Sequence, residues 1–240
     1  EMELFSWKGK IDTLLSPRDS ILYSKYFLHS GLMSMEPSNG HIKAYVGGIN
    51  YENFQYDHVT SGKRQVGSTF KPFLYSLAIQ EGYSPCYQVP NVPVVFDKYK
   101  WRLEKDWTPK NSGSEDLEGL TLTLKYGLAN SINTVTAYIM KQFGPHAVVD
   151  LAKKIGIKSK ILAVPSLCLG PFDLSVYEMV GAYSTFSNKG VWVEPIFVTR
   201  IEDKNGVVLE RFIPKSNEAM SEKTANTMIR LLQGVVDGVY

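Results

Sequence analysis

Two tight turns constrain this chain most. Pro37-Ser38-Asn39-Gly40 near one end and Asn205-Gly206 near the other each lie between short runs rich in apolar residues. A Gly-containing turn set between two such runs closes a β-hairpin, because its backbone matches the twist of the flanking strands. Leu32–Glu36 and His41–Val46 therefore read as one pair, with Met33 and Met35 alternating on the first strand and Ile42, Ala44 and Val46 on the second. Phe197–Asp203 and Val207–Arg211 read as another. Between the hairpins the apolar period is helical. Ser68–Gln80 carries Phe73, Leu74, Leu77 and Ala78 on one face. Thr121–Asn130, Thr134–Phe143 and Pro145–Ile155 follow as further helices, broken at Ser131-Ile132-Asn133, with Gly156 just past the last. Ser175-Val176-Tyr177-Glu178 is a capping box opening a helix through about Ser187, and Ser221 starts the last helix. Ser16-Pro17-Arg18-Asp19 opens an early helix that Gly31 stops. Hairpins around a helical middle argue for a mixed α/β domain of the α+β type rather than βαβ winding.

Composition narrows the function. The 240 residues are 44% apolar and 21% charged, which excludes disordered, collagen-like and disulfide-scaffold chains. Lys and Arg number 26 against 24 acidic residues, so no nucleic acid is recruited by bulk charge. Four histidines and two cysteines show no metal-ligand spacing, and no nucleotide motif is present, so neither metal nor cofactor is expected. Cys86 and Cys168 read as separate buried thiols. No run of 18 apolar residues exists to span a bilayer. The chain opens at Glu1 within a patterned segment and ends at Val239-Tyr240 without a stopping signal, as expected of part of a longer protein. Residues 84–120 form a long irregular segment with Tyr99, Trp101, Trp107 and a basic run at Lys98, Lys100, Arg102 and Lys105. Those aromatics fit a groove or a loop anchor equally, and the basic run fits a solvated face.

The chemistry centres on Ser68-Thr69-Phe70-Lys71-Pro72. Serine is a poor nucleophile until a base takes its proton, and a lysine serves if its amine is neutral. On a helix, positions i and i+3 share a face, so Ser68 and Lys71 can meet. Pro72 is tolerated only in a first helical turn, which fixes the helix start near Ser68 and puts its hydroxyl at the positive end of the helix dipole. Against this, a residue before proline avoids the α region. A Ser-x-x-Lys spacing alone arises by chance about once in a chain of ordinary usage, where it is a capped helix with a solvated lysine. Ser131-Ile132-Asn133 supplies a second hydroxyl and an amide, or simply a helix break with local side-chain caps.

The two motifs with their flanks carry a resemblance. Arg64-Gln65-Val66-Gly67-Ser68-Thr69-Phe70-Lys71-Pro72-Phe73 resembles the active-serine segment of penicillin-binding protein transpeptidases, most closely the bifunctional class A type. Ile42–Gly48 is similar to the family's second strand. Trp107-Thr108-Pro109-Lys110-Asn111 and Gly127–Asn133 resemble the run into its second motif, and Asn188-Lys189-Gly190 with Pro195 a later turn. The resemblance implies a β-lactamase/transpeptidase-like fold, an antiparallel sheet flanked by helices, over residues 31–240, with residues 1–30 the end of an inter-domain linker. It implies that Ser68 is acylated by the D-Ala-D-Ala stem peptides of peptidoglycan and trapped by β-lactams. Lys71 would be its base, Ser131 would relay a proton to the leaving D-alanine, Asn133 would orient Lys71 and the substrate, and the Ser68 N–H would give half of an oxyanion hole. It also implies a periplasmic or extracellular location, an N-terminal membrane anchor, a glycosyltransferase domain and cell-wall synthesis proteins as partners.

This chain departs from the family pattern in two ways. Val66 stands where proline is frequent. No Lys-Thr-Gly occurs, Lys223 being followed by Thr224-Ala225. In the family that third motif lies on a strand that would fall past Tyr240 and supplies the second oxyanion donor, whose loss costs roughly 100- to 1000-fold in rate. The C-terminal strands are thus expected to be missing, and the chain alone inactive unless they are supplied. The alternatives are a D,D-carboxypeptidase, a serine β-lactamase, against which Ile132 stands in the middle of the second motif, and a non-enzymatic β-lactam sensor.

Overall fold

The computed structural model describes residues 1–113 and 117–238. Residues 114–116, inside the irregular 84–120 segment, and residues 239–240, at the end of the expected 31–240 domain, lie outside the described residues.

The chain begins with a small hairpin, β1 (Met2–Leu4) against β2 (Ile11–Thr13), followed by α1 (Pro17–Lys25). Ser16 caps α1, its Oγ accepting from the Asp19 N–H at 3.2 Å, with Pro17 in the first turn. The helix stops at Lys25, short of Gly31, and no residue on it is buried. Nine residues without a packed face gain little from further turns. The chain instead turns away so that Phe27 meets Phe5 and Phe54, at 5.1 and 5.8 Å between ring centroids.

Next come β3 (Leu32–Met35) and β4 (Ile42–Val46), paired antiparallel from Leu32 opposite Val46 to Met35 opposite Ile42. The other strands pair across long stretches of chain. They are β5 (Lys63–Gln65) with β8 (Asp173–Ser175), β6 (Gln88–Pro90) with β7 (Thr121–Thr123), and β9 (Val191–Val193) with β12 (Ser216–Glu218). The hairpin across Asn205-Gly206 is β10 (Arg200–Glu202) with β11 (Val208–Arg211). Antiparallel strands flanked by helices are therefore present, arranged among the described residues as six two-stranded ladders.

The core is built around α2 (Lys71–Gln80), entered through a 3-10 turn over Gly67–Phe70. Phe70, Phe73, Leu74, Tyr75 and Ala78 are fully buried. Each large side chain among them contributes on the order of 2 kcal/mol of apolar burial. They pack on α4 (Leu124–Ala129), α5 (Asn133–Lys154) and α7 (Glu222–Asp237), while α6 (Val176–Ser187) lies against β3 and β9. Ser175 and Glu178 form the expected capping box, and Ser221 caps α7. Two expectations are corrected. Thr121–Thr123 is a strand rather than helix, because Leu122 packs inward while its β-branched neighbours pair with Gln88–Pro90; Thr123 then caps α4. Of the two thiols, Cys168 is buried but Cys86 is exposed, and no disulfide joins them. Within α5 the backbone leaves helical geometry at Gly144 (φ 74°, ψ 163°) ahead of Pro145, so residues 134–143 and 145–154 are two helical segments, as expected. The irregular segment includes a short helix, α3 (Lys98–Trp101), whose tryptophan, with Trp107, packs on the buried Phe96 and anchors the loop. No helix among the described residues is long and apolar enough to cross a membrane.

Candidate active site

The turn carrying Ser68 is forced by two glycines. Gly67 has φ 54° and donates its N–H to the Gly170 carbonyl at 3.0 Å. Gly170, at φ 65°, lies so close that a Cβ on it would stand 2.2 Å from the Gly67 carbonyl oxygen. Only glycine satisfies both the backbone angle and the approach. The 3-10 turn is held from the other side by Tyr183, whose hydroxyl donates to the Thr69 carbonyl at 2.6 Å. Ser68 is left exposed at the start of the turn, where first-turn N–H groups have no intrahelical acceptor.

Lys71 adopts the α region (φ −52°, ψ −42°) although Pro72 follows it. The pre-proline cost is outweighed by what that conformation buries. Phe70 and Phe73 enter the core on either side, and Lys71 itself is only 1% exposed. A buried ammonium must be hydrogen-bonded, and this one donates to the Ser131 carbonyl at 2.7 Å, to Ser131 Oγ at 2.9 Å and to Asn133 Oδ1 at 2.6 Å. Ser131 holds φ 55°, a left-handed conformation that turns both its oxygens onto Lys71. Burial pulls the Lys71 ammonium from its ordinary 10.5 down to about 8. The neighbouring Cys168 thiol is pushed up by its own burial to about 12, so at neutral pH it carries no charge to hold the proton on the lysine.

The structure thus brings Lys71, Ser131 and Asn133 into direct contact, and Ser68 lies three residues before Lys71 on the turn that leads into α2. No hydrogen bond joins Ser68 Oγ to Lys71. Three N–H donors on Nζ point at three acceptors, which is the charged form. Loss of one proton leaves a lone pair, and the Ser131 hydroxyl can then reverse and donate to it.

Sequence reasoning missed Asn111 as a site residue. Its Oδ1 accepts from the backbone N–H of Asn133 at 2.8 Å and of Thr134 at 3.1 Å. The available signal was Ile132: a long helix whose N-cap side chain cannot accept must find its cap elsewhere. Among the described residues no cluster of three or more potential metal ligands exists.

The chain matches the penicillin-binding protein transpeptidase domain over residues 31–239, and the penicillin-binding protein middle domain over residues 1–28. The first of these matches spans most of the chain. The chain belongs to the penicillin-binding protein transpeptidase family. It is 30% identical over 240 residues to penicillin-binding protein 1A of Aquifex aeolicus, covering 95% of this chain and 32% of that protein. Its fold matches the crystal structure of penicillin-binding protein 1A from Haemophilus influenzae with a TM-score of 0.78 and 26% identity, over 88% of this chain and 36% of that one. It also matches the PonA1 protein from Mycobacterium tuberculosis in complex with penicillin V, with a TM-score of 0.71 and 24% identity over 91% of this chain and 60% of that one. The transpeptidase domain is therefore of the class A type, and the chain spans about a third of the length of the curated relative.

Proposed function

We propose that this domain carries out the acyl-serine half of peptidoglycan cross-linking. Ser68 Oγ attacks the carbonyl carbon of the penultimate D-alanine of a stem peptide. Its proton passes to the neutral Lys71 amine, and the N–H of Ser68 stabilises the oxyanion that forms. Collapse of the intermediate breaks the peptide bond, and the terminal D-alanine leaves as an amine protonated from Lys71 through Ser131. An amino group of a neighbouring stem then attacks the Ser68 ester, releasing the serine and forming the cross-link. On this reading the Ser68–Lys71 hydrogen bond forms when substrate binds, since catalytic hydrogen bonds are often open before substrate arrives.

The burial of Lys71 supports this reading best. A solvated lysine stays charged at neutral pH, whereas one drawn down to about 8 offers a free amine in useful amounts. β-Lactams, which imitate the stem peptide, would acylate the same serine; the PonA1 neighbour is described in complex with penicillin V. The acceptor side of the reaction takes place outside the cytoplasmic membrane, so the domain works on the periplasmic or extracellular face. Residues 1–30 would join it to an anchored glycosyltransferase domain, and cell-wall synthesis proteins would be its partners.

The test is labelling with a fluorescent penicillin in the wild type and in Ser68→Ala. A band that lasts for hours and disappears in the variant is expected. A band of equal strength in Ser68→Ala would remove Ser68 from its role, and rapid turnover of the antibiotic would make the domain a β-lactamase.

A further inference from the structure

The loop at Lys110-Asn111 touches Asn133 in two ways. The Lys110 carbonyl accepts from Asn133 Nδ2 at 2.7 Å, and Asn111 Oδ1 accepts from the Asn133 backbone N–H. An amide side chain has one acceptor end and one donor end. With Nδ2 committed to Lys110, Oδ1 is the end left to face Lys71 Nζ. The Asn111 cap does the work a local N-cap would normally do for α5, because Ile132 offers no oxygen. It does so from 22 residues upstream, tying loop to helix.

Asn111 is itself held. Its Nδ2 donates to Asn91 Oδ1 at 3.1 Å. Asn91 is 2% exposed, and its Nδ2 donates to the Leu117 carbonyl at 2.6 Å. Thr134 Oγ1 donates to the same Asn91 oxygen. Every polar end of the Asn91 side chain is thereby used, and a buried network with all members satisfied is stiff. A continuous line of hydrogen bonds runs from the buried Asn91 through Asn111 and Asn133 to the Lys71 amine.

We propose that Asn111 is a positioning residue for acyl transfer, acting through Asn133 to hold the Lys71 amine in place, with Asn91 as its buried anchor. This rests on the acyl-serine reading given above. Loss of the Asn111 oxygen leaves two first-turn N–H groups of α5 without a partner and frees Asn133 to swing. A displacement of about 1 Å at a reacting group costs on the order of 100-fold in rate. Asn111→Ala is expected to slow penicillin labelling by roughly that factor, with the folded fraction unchanged.

The experiment has two readouts. One is the labelling rate. The other is the titration of Lys71, followed by NMR on isotope-labelled lysine and assigned by the signal lost in Lys71→Arg. Asn111→Ala and Asn133→Ala should move the Lys71 titration in the same direction, and the double variant no further than either alone. A Lys71 titration unmoved in Asn111→Ala but moved in Asn133→Ala overturns the proposal, as does an additive double variant. If Asn111→Ala fails to fold, Asn111→Leu keeps the side-chain volume without an acceptor, and Asn111→Asp keeps the acceptor. Asn111→Asp should label faster than Asn111→Leu, and equal rates would refute the role. If the wild type itself does not label at Ser68, the acyl-serine reading fails, while the Lys71 titration still decides whether Asn111 holds the amine.

Discussion

The N-terminal segment and the seam around Lys71 are held by opposite means. The seam is polar: a lysine 1% exposed and an asparagine 2% exposed, linked through Ser131, Asn133 and Asn111 by hydrogen bonds. The N-terminal segment is apolar and shallow. Phe5, Trp7, Phe27 and Phe54 meet edge to face, His29 stacks on His58 at 5.1 Å, and α1 buries nothing. Hydrogen bonds prescribe direction, so the seam fixes the orientation of one amine. Ring contacts tolerate sliding, so the same number of partners fixes only proximity. One region orients a single amine, as the proposed chemistry requires, and the other holds two segments together.

Removing the amine tests the seam most severely. Lys71→Ala should lower the acylation rate on the order of 1000-fold, the contribution expected of a general base, in stopped-flow labelling with a chromogenic cephalosporin. A drop of less than about tenfold would transfer the base role elsewhere. Gly170→Ala attacks the turn from behind. The new methyl would meet the Gly67 carbonyl at a backbone angle unsuited to alanine, and the expected cost is about 2 kcal/mol or more in denaturant unfolding, together with slower labelling.

Proton affinity gives the next effect. If Lys71 must be neutral, labelling should rise about tenfold per pH unit up to about 8 and then level off, as a pH series of second-order rates would show. The stability sign follows from the same shift. The unfolded chain holds the Lys71 proton more tightly between about 8 and 10.5, so this group's contribution to stability increases as pH rises through that window. The smallest effect belongs to the aromatic joint. Phe54→Ala removes ring contacts with Phe5, Phe27 and His29, each worth about 1 kcal/mol. Residues 1–30 should become more sensitive to protease while Ser68 labelling keeps its rate; a fall in labelling would mean that the two regions are coupled.

What the sequence showed and what it concealed divide along chain distance. Ser16, Ser175 and Ser221 were legible as caps because each bonds a backbone N–H three residues away. The hairpin at Pro37–Gly40 was legible because its strands are neighbours in the chain. The glycine pair at 67 and 170 and the Asn111 cap were not, since nothing in a local window says which distant segment will arrive. The turn before Ser68 reads as an ordinary glycine, and only the packed structure shows that a second glycine is needed behind it. The break at Gly144 was legible for the same reason as the caps: a glycine followed by a proline ends a helix locally, and the buried face resumes past them at Val148, Leu151 and Ala152.

The distances along the chain also bear on how the domain matures. Lys71 bonds to partners 60 and 62 residues downstream, and Thr134 to one 43 residues upstream. Contacts of that span form only after the loop-closure entropy of the intervening chain has been met, so they arrive late in folding. During synthesis the helix bearing Ser68 leaves the ribosome well before Ser131 exists. For that interval the lysine has no acceptors and stays an ordinary, charged, solvated amine. On the proposed acyl-serine reading, the serine would gain its reactivity only when α5 docks, and a nascent or misfolded chain would not be labelled by the antibiotic.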